Sequence, residues 1–221
     1  MQANDNADLK RIYSQRFSGA TDYRNKVWQI LIRHFFCKFI PLDATILDLG
    51  CGYGEFINNV QAACKYGMDL NPDSPTRLNP DVKFLYQDCS ERWQIPDHSL
   101  DVVFTSNFFE HLPDKTSLGK TLDEVHRCLK PGGSIIAMGP NIKYLPGAYW
   151  DFWDHYLPLT DLALTEALET REFKTDVCIG RFLPYTMAGK RQTPAAIIKA
   201  YLALPVAWPF FGKQFLVVAR S

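Results

Sequence analysis

The chain lacks net charge, because 24 Lys and Arg residues are balanced by 24 Asp and Glu. A protein that grips nucleic acid mainly by neutralising phosphates carries a cationic excess, so no nucleic-acid partner is expected. Long apolar runs are also missing. The longest, Ala200 to Phe211, is interrupted by Pro205 and Pro209 and is too short and too broken to cross a bilayer. The cysteines (Cys37, Cys51, Cys64, Cys89, Cys128 and Cys178) never stand at C-x-x-C spacing. A structural zinc site is therefore not expected, and no metal is assigned. The opening from Met1 to Leu9 is polar and acidic, unlike a secretory leader. Reduced thiols and a cytoplasmic location are the corresponding expectations. Repeats and low-complexity tracts are absent.

What is present is a globular composition. Hydrophobic residues make up 47% of the 221 positions and aromatics 14%, enough for a sizeable core, which excludes disorder as the main state. The length suits one generous domain, or at most two small ones.

Apolar periodicity predicts a helix over Tyr23 to Phe39, stopped by Pro41. Short apolar runs predict strands at Thr45–Leu49, Cys64–Met68, Lys83–Tyr86, Leu100–Ser106 and Ser134–Met138. A helix is expected over Glu55 to Gln61, and a clearer one over Lys115 to Leu129, ending in the turn Lys130-Pro131-Gly132-Gly133. After an aromatic loop, Gly139 to Pro158, come a helix over Asp161–Thr170, a strand over Lys174–Ile179, an irregular stretch 180–212 and a last strand over Gln214–Ala219. Alternating strands and helices imply an α/β fold, with a mostly parallel sheet covered by helices on both faces. The expected organisation is one domain, 1–221: a helical cap over 1–40, a cofactor-binding core over 45–179, and an insert 180–212 before the final strand, 213–219.

The decisive segment is Ile46-Leu47-Asp48-Leu49-Gly50-Cys51-Gly52-Tyr53-Gly54-Glu55-Phe56. A strand runs into glycines at alternate positions, where bare backbone adopts unusual angles and lets a ligand approach. In open α/β sheets the ligand lies beyond the carboxyl ends of the strands. A ligand-free turn is the plainer reading, but two acidic residues speak against it. Asp69 ends the second strand, 19 positions after Gly50, where a carboxylate can accept hydrogen bonds from ribose hydroxyls. Asp88 follows the third strand, within reach of an adenine amino group. A nicotinamide fingerprint, G-x-G-x-x-G, would need glycine at Glu55. Asp48 would also repel a pyrophosphate, whereas it suits the ammonium and sulfonium of S-adenosylmethionine.

Taken together, ILDLGCGYGEF, GMDLNPD, QDCSE, DVVFTSNFFEHLPD and LKPGGSII resemble a class I S-adenosylmethionine-dependent methyltransferase. Tyr13-Ser14-Gln15-Arg16-Phe17 with YRNKVW, and WDFWDHYLPLT with RFLPYT, resemble a narrower group associated with glycan gene clusters. The resemblance implies a Rossmann-like, doubly wound sheet of seven strands with the last antiparallel. It implies that Asp48, Gly50, Gly52 and Gly54 surround the methionine part of the cofactor. Asp69 would bind the ribose and Leu70 pack on the adenine, with Asp88 and Cys89 at the adenine edge. Asn107 and Phe108 would lie near the methionine part, and S-adenosylhomocysteine would be the product.

A lone arginine is ordinarily a solvated surface residue. Tyr13, Arg16 and Phe17 share one helical face, however, and a guanidinium suits the cofactor carboxylate. Arg16 is therefore assigned to the cofactor, and Tyr13 and Phe17 to a lid over the acceptor. His111, with Glu110 beside it, follows the fourth strand and can take a proton near neutrality; a structural role is the alternative. His155 lies in the aromatic loop, where Trp150, Trp153 and Tyr156 could seal the sheet edge or hold a flat acceptor. It is the preferred base. His34, His98 and His126 have only structural readings.

The stretch 190–211 most simply packs back on the domain. Its aromatics, with Lys190, Arg191 and Lys199, also suit peripheral contact with a membrane or a lipid-linked acceptor. The expected function is methyl transfer to a small-molecule or glycan acceptor, at oxygen. N-methylation and a non-catalytic, S-adenosylmethionine-binding regulatory domain are the alternatives.

Overall fold

The computed structural model describes residues 21–184 and 192–221. Tyr13, Arg16, Phe17, Lys190 and Arg191 lie outside the described residues. Helix α1 spans Thr21–His34, and a 3-10 turn follows at Phe36–Phe39. The strands are β1 Thr45–Leu49, β2 Cys64–Asp69, β3 Val82–Tyr86, β4 Leu100–Ser106, β5 Leu129–Pro140, β6 Lys174–Ile179 and β7 Gln214–Arg220. The other α-helices among the described residues are α2 (Lys115–Cys128), α3 (Asp161–Glu169), α4 (Ala195–Ala203) and α5 (Trp208–Phe211), with short 3-10 turns between elements.

All seven strands join one sheet in the order β3-β2-β1-β4-β5-β7-β6. Neighbours from β3 to β5 run parallel, while β7 is antiparallel to both β5 and β6. This is the expected doubly wound sheet with its last strand reversed. Side chains alternate across the pleat. Ile46, Val102, Phe104, Ile136 and Leu216 therefore face α1, where they meet Trp28, Leu31, Phe35 and Phe36. Leu47, Val103, Ile135 and Val217 face the other way, onto Leu118, Leu122 and Val125 of α2 and Leu164 and Leu168 of α3. Both faces are covered, which explains why the strands read as nearly continuous apolar runs. The second layer starts cleanly because Asp114 caps α2, accepting from the Ser117 amide at 2.7 Å, and Thr160 caps α3 through the Ala163 amide at 3.1 Å.

Three segments differ from the sequence expectation. Residues 55–61 form turns rather than a regular helix. Asn59 is the reason: its Nδ2 donates to the Glu55 carbonyl at 2.7 Å, the acceptor its own amide would use in a helix, and that amide bonds Phe56 instead. The Lys130–Gly133 turn lies inside β5. Leu129 pairs with Leu100, the register then jumps to Val102 against Ser134, and Gly132 supplies φ +79°. The stretch 180–212 contains α4 and α5. Phe182 is fully buried against Phe35, with ring centroids 4.5 Å apart, and against Trp208 at 5.0 Å.

Candidate active site

The site begins where β1 ends. Gly50, Gly52 and Gly54 all have positive φ (72°, 52° and 79°), the left-handed region that side chains disfavour. Gly50 and Cys51 donate their amides to the Met68 carbonyl at 2.9 and 3.1 Å, which ties the loop to β2. Asp69 then accepts from the Gly52 amide at 2.7 Å and from the Asn71 amide at 2.8 Å. At Gly50 a Cβ would fall 2.3 Å from ring carbons of Phe108. Two neighbouring loops therefore close on a position only glycine can fill.

The loop forms one wall of a pocket with roughly 690 Å³ of empty space, its open mouth included. Asp48, Gly50, Gly52 and Asn107 line it, joined by Arg24 and Trp28 of α1 and by Glu55, Phe104 and Ser106. Burial, then the nearby Asp69 and Glu55 charges, push the Asp48 carboxyl well above its usual range, against a backbone hydrogen bond from Ile57. Burial raises Asp69 too, opposed by its backbone donors and by the His111 charge. Asn107 adopts φ +50°, and its Oδ1 is buried without a hydrogen-bond partner among the described residues. A cationic, hydrogen-bond-donating ligand lying against bare glycine backbone answers all of these features. The ammonium of S-adenosylmethionine is such a group, and its sulfonium adds a second positive charge, so the residues present fit it.

Other sequence candidates stand around this pocket rather than on its wall. Asp69 reaches it through the Gly52 amide, and Leu70 follows at the end of β2. Asp88, after β3, accepts from the Ser90 amide and hydroxyl at 2.9 and 2.8 Å. The Cys89 thiol is turned into the core, accepting from the Thr121 hydroxyl at 3.3 Å, and burial pushes its pKa up to about 12. Arg24, Trp28 and Glu55 were not selected as ligand-site residues from sequence. Arg24 and Trp28 stand one helical turn apart, a signal that both share a face. The Arg24–Glu55 ion pair, 2.8 Å long and largely buried, joins residues distant in sequence and has no local signature.

A second cluster lies after β4. A 3-10 turn, Phe109–His111, interlocks with the aromatic loop. The Glu110 carbonyl accepts from the Tyr156 and Leu157 amides at 2.8 and 3.1 Å, and its carboxyl accepts from the Tyr149 hydroxyl at 2.6 Å. Burial raises the Glu110 pKa, with His111 and the tyrosine acting against it. His111 Nδ1 lies 2.8 Å from the Asp154 carbonyl and 3.2 Å from its carboxylate. His155 Nδ1 lies 2.7 Å from the Tyr149 carbonyl. A carbonyl only accepts, so Nδ1 carries the proton in each ring and the neutral form keeps its lone pair at Nε2. The two rings meet edge to face, centroids 4.9 Å apart. Burial disfavours charge on His111, but Asp154 and Glu110 outweigh it and the pKa is raised.

The fold thus brings together both histidines chosen from sequence. Trp153 is 82% exposed and Tyr156 is also exposed, while Trp150 donates Nε1 to the Leu145 carbonyl at 2.8 Å. Tyr149, which links both halves of the cluster, was not chosen from sequence; its partner Glu110 is 39 positions away. His111, Asp154 and His155 also bring ligand-type atoms within 4.8 Å of one another.

The family described as a methyltransferase domain matches residues 47–137. A Mycolicibacterium smegmatis protein, named a probable S-adenosylmethionine-dependent methyltransferase, is 30% identical over 144 residues, covering 62% of this chain and 54% of the relative. The 2-methyl-6-phytyl-1,4-hydroquinone methyltransferase of Synechocystis is 30% identical over 124 residues, covering 52% of this chain and 38% of that protein. The chain therefore spans about half or less of the length of these relatives. Among solved structures, a SAM-dependent methyltransferase from Archaeoglobus fulgidus superposes with a TM-score of 0.69 at 22% identity, covering 95% of this chain and 98% of that one. Glycine loop, acidic pocket, matched domain and shared fold agree: residues 47–137 match a methyltransferase domain, and the chain is similar in sequence and in fold to S-adenosylmethionine-dependent methyltransferases.

Proposed function

We propose that the chain transfers a methyl group from S-adenosylmethionine to a hydroxyl oxygen of a small-molecule or glycan acceptor. The observation that carries this reading is the His111–His155 pair, held by backbone carbonyls beside the loop that follows β4. When bound, S-adenosylmethionine supplies a methyl group activated by its sulfonium, and the departing thioether needs no acid.

In this reading Asp48, Gly50, Gly52, Gly54 and Asn107 hold the methionine part, with Phe108 packed behind Gly50. Asp69 takes the ribose, Leu70 the adenine face, and Asp88 and Cys89 the adenine edge. Arg16 is assigned to the cofactor carboxylate, with Tyr13 and Phe17 as the lid. Trp150, Trp153 and Tyr156 offer aromatic surface to the acceptor. The Synechocystis relative, named for a hydroquinone, favours a small molecule.

An alcohol does not ionise unaided near neutral pH, so its proton must be taken as the carbon–oxygen bond forms. His155 Nε2 is the assigned recipient, and His111, its charge stabilised by Asp154, is the second. The chain's other task is alignment and exclusion of water. His155→Ala is expected to lower turnover about 10²–10⁴-fold, the usual worth of a general base. S-adenosylhomocysteine affinity by calorimetry should stay within a few fold. Full activity of both His155→Ala and His111→Ala on the true acceptor would remove the base and favour an amine acceptor, which already has its lone pair. Cofactor binding without turnover on any acceptor would favour the regulatory alternative.

A further inference from the structure

The last part of the chain is chemically unlike the rest. After Asp176 no Asp or Glu side chain occurs, while Arg181, Lys190, Arg191, Lys199, Lys213 and Arg220 follow. A chain with no net charge therefore carries a cationic end and a compensating acidic remainder. Charge asymmetry of this kind points to a polyanionic surface as partner.

The same segment carries an apolar ridge. Val206 and Phe210 are each 73% exposed and Phe211 63%, with Leu204 and Ile197 also exposed. Between Ala200 and Phe211 no charged side chain interrupts it, and exposed Lys199 and Lys213 bracket it. The ridge is held by groups facing inward. Leu202 and Trp208 are buried, and Trp208 Nε1 donates to the Tyr201 carbonyl at 3.0 Å. The Tyr201 hydroxyl donates to the Phe182 carbonyl at 2.6 Å. Arg181 donates to the Gly212 and Phe210 carbonyls, both at 2.9 Å. A fixed scaffold therefore presents several large apolar side chains from one short segment to water, a display that folded chains rarely keep without a partner.

We propose that the ridge seats this protein on an anionic lipid surface. Leu204, Val206, Phe210 and Phe211 enter the acyl boundary, and Lys199 and Lys213 meet the headgroups. Charge complementarity selects a lipid surface over a protein groove. The ridge offers no carboxylate and, from Leu202 to Phe211, no polar side chain other than the buried Trp208 indole, whereas a protein interface surrounds its apolar centre with a polar rim. No described helix is long and apolar enough to cross a membrane, so the contact is peripheral. Its position also serves the pocket. Helix α4, which leads into the ridge, packs on α1, and α1 supplies Arg24 and Trp28 to the pocket wall. The assignment holds whichever atom of the acceptor is methylated.

The test is sedimentation of the full chain with vesicles of phosphatidylcholine alone and of phosphatidylcholine with phosphatidylglycerol. The chain should sediment with the anionic vesicles, and added salt should release it. Lys199→Ala and Lys213→Ala should each weaken partition into anionic vesicles on the order of fivefold. Phe210→Glu with Phe211→Glu should abolish it, while S-adenosylhomocysteine affinity and the circular dichroism spectrum stay unchanged. Val206→Glu provides an independent variant of the same surface. No sedimentation with either vesicle, or sedimentation insensitive to these variants, would overturn the proposal. So would a dimer by light scattering that the Phe210 and Phe211 changes dissociate, since the ridge would then serve a second copy of the chain.

Discussion

Gly50→Ala tests how the cofactor loop is built, and Gly132→Ala is its internal control. Both glycines hold left-handed backbone, with φ +72° and +79°. Any side chain in that region costs roughly 1–2 kcal/mol. Their surroundings differ. A Cβ on Gly132 meets nothing within 4 Å, whereas on Gly50 it would fall 2.3 Å from two Phe108 ring carbons and 2.8 Å from that residue's Cβ. Phe108 must therefore move. Its ring packs against the α2-side core, so displacement adds an overpacking cost of about 1–3 kcal/mol. Gly132→Ala should lose about 1–2 kcal/mol of stability and Gly50→Ala about 2–5 kcal/mol, read from urea unfolding. Only Gly50→Ala should weaken S-adenosylhomocysteine binding, by at least about tenfold, or 1.4 kcal/mol, because Phe108 adjoins Asn107 in the pocket wall. Adding Phe108→Ala to Gly50→Ala should restore part of the lost stability. Equal destabilisation by the two glycine variants, with affinity for both within twofold of the parent, would refute the loop packing described above.

Further expectations concern charge and protons. Asp69→Ala should weaken S-adenosylhomocysteine binding by roughly 1.5–3 kcal/mol, and unchanged calorimetric affinity would remove Asp69 from the site. The His111 pKa is raised, burial being outweighed by Asp154 and Glu110. Its stabilising contribution is therefore complete below the ordinary histidine pKa, about 6.5, and is lost as pH rises through the raised folded value. Unfolding free energies of parent and His111→Gln should converge with rising pH. Asp154→Asn should lower the His111 pKa, read by NMR titration of its imidazole, since it removes a carboxylate that stabilises the His111 imidazolium. A metal chelator should leave turnover unchanged; loss of activity restored by a divalent cation would convert His111, Asp154 and His155 from a proton-handling group into a metal site.

Much of the fold was legible because its determinants are local. Apolar runs that end in turn residues mark strands whatever they later pair with: six of the seven lie where periodicity put them to within about one residue, while β5 begins five residues earlier than expected, at Leu129, and absorbs the expected Lys130–Gly133 turn. The glycine loop was equally legible, since alternating glycines after a strand report a backbone demand that the φ values of Gly50, Gly52 and Gly54 satisfy locally. The helix expected over Glu55–Gln61 failed through a competition that helical spacing does not register, the Asn59 side chain claiming the Glu55 carbonyl.

Only tertiary structure decided which distant groups meet. The strand order, with β7 between β5 and β6, depends on pairings between segments far apart in the chain, whose apolar faces are chemically interchangeable. The same holds for the Tyr149 hydroxyl on the Glu110 carboxyl, for Asp154 on His111 and for Arg24 on Glu55. Each pair spans two loops or a helix and a loop, and neither member shows a periodicity that names the other. Sequence by itself determined the chemistry of the glycine loop and the strand segments, because backbone angle and alternation are properties of neighbouring residues. The union of His111 and His155, and the outward display of Phe210 and Phe211, came from chain crossings that only the folded sheet and its covering helices define.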